Sequence, residues 1–499
     1  MHKETARLLE LDREHSLVMH IGAILGWDQE TYMPPKAIEE RSSQLALLEG
    51  LAHQKAVNPE IGELLAALEA KSDLSEDEKA YVRVVRRDYD RETKLPEAFV
   101  TEYAKEASLS QAAWADAKKN NDFAAFKPHL SRMVELNKKR AHYLNPNAKP
   151  YDVLLDLFEP GSTQESVAAV FAKMKSYLVE ILTRIRERPQ IEDKCSGRRV
   201  DKHTQERISQ YFMKVLGYER DRGRLDVSAH PFTTTLGADD VRITTRYVED
   251  YFPSSLFSTI HESGHALYEM GIDPNPDYRG TKLAEAVSMA VHESQSRLWE
   301  NIVGRSPAFW ERHFPALSAL LGEVGEGLDL ESFVKSINRV SPSLIRTEAD
   351  EVTYGLHVIA RFELESALFD GSLNVEEVPE AWRAKYRELL GIEAPDDRQG
   401  CLQDVHWSMG AFGYFPSYAL GNLYGAQFWA ALKKEIPDVE ARISGGDTSA
   451  VLAWLRKNVH VQGSRYTPGE LVKKVTGQAL DPVWFEKYLR EKYSKIYGF

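Results

Sequence analysis

Residues 259–269 read Thr259-Ile260-His261-Glu262-Ser263-Gly264-His265-Ala266-Leu267-Tyr268-Glu269, or TIHESGHALYE. Two histidines stand four residues apart, with a glutamate directly after the first. On an α-helix, positions i and i+4 lie about 40° apart around the axis, so both imidazoles reach one ion. Neutral imidazole suits Zn2+, and two histidines with one carboxylate leave a fourth position open to water. Glu262 then faces that water as general base. The chemistry therefore requires a helix here. Phe252-Pro253-Ser254-Ser255 supplies its start and Gly271 its stop, which makes about four turns. A histidine pair bonded inside a helical core is the structural alternative.

The next stretch, residues 283–297 (LAEAVSMAVHESQSR), reads as a helix and continues so to about 304. It carries Glu285 and Glu293, 20 and 28 residues after His265, and either is a candidate third ligand. They are eight residues apart, about 80° around a helix, so only one points well at the ion. Spacing does not choose between them. The other would accept a hydrogen bond from a ligand imidazole. His292 as a fourth ligand would close the open position.

Away from these two stretches the chain also reads as helical. LSEDEKAYVRVVRRDYDRE opens with a capping box, Ser75 to Glu78, and GSTQESVAAVF repeats the device with Ser162 and Glu165. Val167, Val170, Phe171, Met174, Leu178 and Ile181 then form a core-facing stripe. Further helical patterns cover 35–55, 97–117, 123–144, 343–370 and 417–435. Only residues 230–250, HPFTTTLGADDVRITTRYVED, read as strand, with a Gly-Ala-Asp-Asp turn that predicts a small hairpin. No repeat, low-complexity tract or linker divides the chain, so residues 1–499 read as one helical domain.

A net charge of -13 excludes non-specific nucleic-acid binding, which needs a basic face. Two cysteines, Cys195 and Cys401, imply neither a disulfide framework nor a thiolate cluster. The charged N-terminus lacks the apolar segment of a secretory signal, and no run of about 18 apolar residues predicts a membrane span. The expected location is cytoplasmic.

Several separate motifs occur in order: His230-Pro231-Phe232 (HPF), Asp240-Val241-Arg242-Ile243-Thr244 (DxRxT), HExxH, and His292-Glu293-Ser294-Gln295 (HESQ). Ile345-Arg346-Thr347-Glu348-Ala349-Asp350 (IRxxAD) and Gly400 to Trp407 (GxxQDxHW) follow. Trp27 to Thr31 and Met33-Pro34-Pro35 add an N-terminal segment. In these motifs the chain resembles the carboxypeptidase Taq family, HExxH metallocarboxypeptidases of bacteria and archaea. The resemblance implies a mainly α, two-lobed fold with a deep groove and a small sheet beside the HExxH helix. It places the catalytic region in 230–407. It implies one Zn2+ per chain, for which Co2+ can substitute, with Glu293 as third ligand beside His261 and His265. It also implies a homodimer, and broad, sequential release of amino acids from the free C-termini of peptides.

A carboxypeptidase needs a fixed cation for the terminal carboxylate, and arginine offers a planar fork for it. Arg346 and Arg242 are the candidates. An ion pair with Glu348 or Asp350 is the structural alternative for Arg346. Arg242 is expected on an edge strand that could hold substrate backbone by β-addition. The oxyanion needs a donor besides the metal, and His230, His406 and Tyr418 are candidates. Gln403 and Asp404 read as supporting residues and Cys401 as a buried bystander. Two rivals stand beside this reading. One is a related helical zinc oligopeptidase that cuts internally, which would still cleave C-terminally amidated peptides. The other is a catalytically inactive helical binding protein.

Overall fold

The computed structural model describes residues 1–273 and 275–499, a helical protein with one small sheet. The two largest hydrophobic cores among the described residues make its two lobes. The smaller gathers Leu8, Leu9, Leu65, Leu68 and Tyr81 against Tyr278 and Leu283. The larger runs from Phe99 to Tyr497. No helix among the described residues is long and apolar enough to cross a membrane.

Helix α1 (Lys3–Thr31) starts in the smaller core and then leaves it; beyond Ser16 its one buried residue is Trp27. Helix α2 (Ile38–Ala56) packs back along α1 and buries only Ala52. Leu17, Ile21 and Ile24, spaced as one helical stripe, are 62%, 50% and 41% exposed. Leu47 and Leu51 are exposed on α2. At the far end of α1, Trp27 lies under Arg224 and Arg242, whose guanidinium carbons are 5.3 and 4.3 Å from its ring centroid.

The sheet contains β1 (Leu225–Val227), β2 (Thr233–Gly237) and β3 (Asp240–Thr245) in the order β1-β3-β2. The hairpin predicted from sequence is β2–β3, with Thr233 opposite Ile243. The third strand, β1, runs parallel to β3 and was not foreseen, because Leu-Asp-Val is too short to show a period. It makes β3 the central strand. The edge-strand expectation for Arg242 is therefore corrected: both sides of β3 are already paired, and no peptide can add there.

Helix α3 (Pro253–Gly271) carries the HExxH residues and packs on β2 and β3. The single helix expected over 283–304 is instead broken. Lys282–Ala284 form a 3-10 turn, Glu285 is extended (φ −116°, ψ 165°), and Ser288 caps α4 (Met289–Arg297) through Val291 N–H. A π-helical turn, Leu298–Val303, follows. Helix α5 (Glu351–Asp370) begins only where Asp350 accepts from Val352 and Thr353 N–H, so Arg346 sits in the 3-10 turn Arg346–Glu348 before it. Helix α6 (Pro416–Glu435) lies against α4. The capping box at Ser75 and Glu78 forms as predicted, whereas the later helix is capped one residue on, by Thr163 with Ser166.

Glycines set how closely α4 is gripped. A Cβ on Gly264 of α3 would stand 2.7 Å from Ser296 Cα, and one on Gly425 of α6 3.0 Å from Ser294 O. Only residues without a side chain allow the two helices so near. Helix α4 is thus held between α3 and α6.

Candidate metal centre and groove

His261 and His265 project from α3, and Glu293 meets them from α4. His261 Nε2 and His265 Nε2 lie 3.7 and 3.4 Å from Glu293 Oε2. The three ligand atoms are all within 4.8 Å of one another. Two imidazoles and a carboxylate on rigid helices are the donor set of a zinc site with one open position. Glu285, on its extended segment, is exposed and is not part of this group.

The hydrogen bonds around the ligands explain why those atoms point inward. Glu300 Oε2 accepts from His261 Nδ1 at 2.9 Å, leaving Nε2 as the bare nitrogen. The π turn brings Glu300 to this place, and Arg297 and Arg305 hold its carboxylate. His265 is served through a second imidazole. Its Nδ1 is 2.5 Å from His292 Nδ1, and His292 Nε2 is 2.8 Å from Glu269 Oε1. The carboxylate at the end of this chain accepts a hydrogen bond from His292 Nε2–H, so His292 Nδ1 accepts and His265 Nδ1 donates. His292 thus stands outside the group of three and supports its second member, His265.

Glu293 has its own support. Oε1 accepts from Arg297 Nε at 2.7 Å, which turns Oε2 toward the imidazoles. Burial pushes this carboxyl up, but Arg297 and the two histidines outweigh it and hold it well below the usual carboxylate range. Gly421 of α6 makes room: a Cβ there would lie 2.6 Å from Glu293 Cγ. Glu262 follows His261 on α3, lines the same groove and is buried. Burial pushes its carboxyl up, the direction that suits a base able to hold a proton.

These residues lie in a groove of about 1640 Å3, well beyond the size of a pocket for one small molecule. It also contains His230, Arg346, His406 and Tyr418. His230 lies exposed in the loop between β1 and β2. His406 and Tyr418 are neighbours, with Nε2 3.5 Å from the phenol oxygen, and burial pushes the His406 imidazole down to about 4. The Arg346 guanidinium lies over the Tyr418 ring, 4.9 Å from its centroid. Its ion-pair partner is Asp404, rather than Glu348 or Asp350: Nε and Nη2 both donate to Oδ1, and Nη1 donates to Tyr354 OH. That uses three of the five N–H donors. Asp404 and Gln403 also bind Arg361, which is fully buried, so this corner is rigid. Arg242 stands apart. It does not line the groove; Asp240 takes its fork and Trp27 its face. Cys401 is buried, and burial raises its thiol, which leaves it unreactive.

Sequence reasoning missed Thr233, Glu269, Glu300, Arg297 and Gly421. Glu269 was within reach, since it stands at i+4 from His265 in the HExxH stretch itself. Glu300 was not, because an α-helical count from Glu293 does not include the π turn.

The chain matches the model of the family described as Carboxypeptidase Taq (M32) metallopeptidase over residues 7–493. It is 42% identical to Thermostable carboxypeptidase 1 of Thermus thermophilus, over 98% of each chain. It is 39% identical to Carboxypeptidase 1 of Bacillus subtilis, over 95% of each. The crystal structure of an M32 carboxypeptidase from Deinococcus radiodurans R1 superposes with a TM-score of 0.97 at 41% identity, covering 100% of both chains. Sequence and fold thus match relatives along the whole length, and the chain belongs to the carboxypeptidase Taq (M32) family of metallopeptidases.

Proposed function

We propose that this metallocarboxypeptidase binds one Zn2+ on His261, His265 and Glu293 and removes amino acids one at a time from the free C-termini of peptides. The carrying observation is the half-buried pair His261 and His265 with the buried Glu293, beside a buried Glu262, inside a groove roomy enough for a peptide. Co2+ fits the same donors. The ion, when bound, supplies Lewis acidity toward water and the scissile carbonyl. Glu262 accepts the proton of the attacking water and returns it to the leaving amine. Arg346 receives the terminal carboxylate on its two unused N–H donors, a role that the fixed Asp404–Arg361 corner supports. His406 and Tyr418, side by side near Arg346, are the preferred donors for the oxyanion, with His230, exposed on the loop between β1 and β2, as the alternative.

The working form is proposed to be a homodimer. The exposed apolar stripe on α1 and α2 supports it, because a hairpin that buries so little in its own chain gains stability from a second copy. Two free, buried cysteines fit a reducing, cytoplasmic setting.

The test uses matched peptides ending in a free acid and in an amide, followed by mass spectrometry. The zinc-loaded parent should shorten the acid stepwise and spare the amide. Glu262→Gln should keep its zinc and lose several orders of magnitude in kcat. Internal cleavage of the amide would instead identify an endopeptidase.

A further inference from the structure

Thr233, the residue directly after the HPF motif, touches the proposed base. Its hydroxyl donates to Glu262 Oε2 at 2.6 Å and lies 3.1 Å from the Glu262 carbonyl oxygen. Among the described residues no side chain or backbone group bonds Glu262 Oε1.

The place of Thr233 is fixed by both strand motifs. It opens β2 and pairs with Ile243 of β3. Its neighbour Phe232 is held from both sides by the threonine of DxRxT. Phe232 N–H donates to Thr244 Oγ1 at 2.9 Å, and Thr244 N–H donates to Phe232 O at 2.9 Å. Thr244 Oγ1 also accepts from Ser228 Oγ at 2.7 Å, and Ser228 and Thr244 are both buried. Pro231 removes a further degree of freedom just upstream. The two motifs therefore form one frame, Thr244 to Phe232 to Thr233, that ends on a carboxylate oxygen of α3.

We infer that Thr233 is a positioning residue for Glu262: its hydroxyl ties down Oε2, so that Oε1 is the oxygen presented to the attacking water. This rests on the reading of Glu262 as general base. A carboxylate has two equivalent oxygens and a broad terminal torsion, so packing alone leaves its plane free to turn. One charge-assisted hydrogen bond from a rigid strand removes that freedom and distinguishes the oxygens. The geometry gives HPF and DxRxT a common purpose that neither ligand spacing nor substrate recognition provides.

The test compares zinc-loaded Thr233→Val, Thr233→Ala, Thr233→Ser and Glu262→Gln with the parent on one free-acid peptide. Valine keeps the shape and the strand preference and removes the hydroxyl; alanine removes the hydroxyl without valine's second branch. In both, kcat should fall roughly 10- to 100-fold through misalignment of the base, with KM and bound zinc unchanged. Serine should recover kcat to within about threefold of the parent. The inference is overturned if valine or alanine keeps kcat within about twofold of the parent. It is equally overturned if their loss tracks zinc content or KM, or if serine fails as badly as they do. Near-parental turnover by zinc-loaded Glu262→Gln would instead remove the base assignment, whatever Thr233 does.

Discussion

Glu285 and Glu293 carry the same chemistry and differ in backbone. One lies on an extended segment before Ser288, the other at mid-helix with Arg297 fixing its spare oxygen. Glu293→Ala should therefore lose most bound metal on dialysis, while Glu285→Ala retains it; atomic absorption after exhaustive dialysis reads both. Arg346 is tested by its remaining donors. Arg346→Ala should lower kcat/KM for free-acid peptides by about 10- to 150-fold, the value of a charge-assisted contact of about 1.5–3 kcal/mol. The lysine variant should recover only part, having a point charge and no fork. Amidated peptides, poor substrates already, should lose little more. An equal loss on acid and amide would make Arg346 purely a support for Asp404. These side chains were legible from residue type and motif. Their partners were not: Asp404 lies 58 positions from Arg346 in sequence, and only the fold brings the two together.

The HExxH helix could be read in advance because its start at Pro253, its stop at Gly271 and its apolar face all agree. The second ligand helix could not be bounded, because helix-forming residues on both sides of Ser288 conceal a break that the cap imposes locally. β1 was invisible for the opposite reason, having three residues and taking its strand pairing from β3. Nor could composition reveal that α4 depends on missing side chains in its neighbours. Gly421→Ala adds one methyl 2.6 Å from Glu293 Cγ, where the carboxylate or the helix must give way. We expect about 1–3 kcal/mol of destabilisation from overpacking and a weaker metal site with every ligand residue intact. Zinc competition against a chromogenic chelator, run beside thermal melts, measures the two effects separately. Unchanged zinc affinity would show that α6 can move aside freely.

The two lobes are not equally self-sufficient. The larger has a continuous core around the groove, while the α1–α2 hairpin is tied to the rest at its root in the smaller core and at Trp27, under Arg224 and Arg242. Between those anchors the side chains of Leu17, Ile21, Ile24, Leu47 and Leu51 meet solvent within one chain. If a second copy covers them, folding and association share one free energy, and stability obeys mass action. Each tenfold rise in protein concentration then adds about 1.4 kcal/mol to the assembled state. The melting temperature should climb with concentration in the parent. In Leu17→Glu, which buries a charge in the contact, it should be lower and independent of concentration, with sedimentation reporting a monomer. In such a dimer dilution would become a variable, so that preparations compared at different concentrations would differ in stability with no change in sequence, metal or pH.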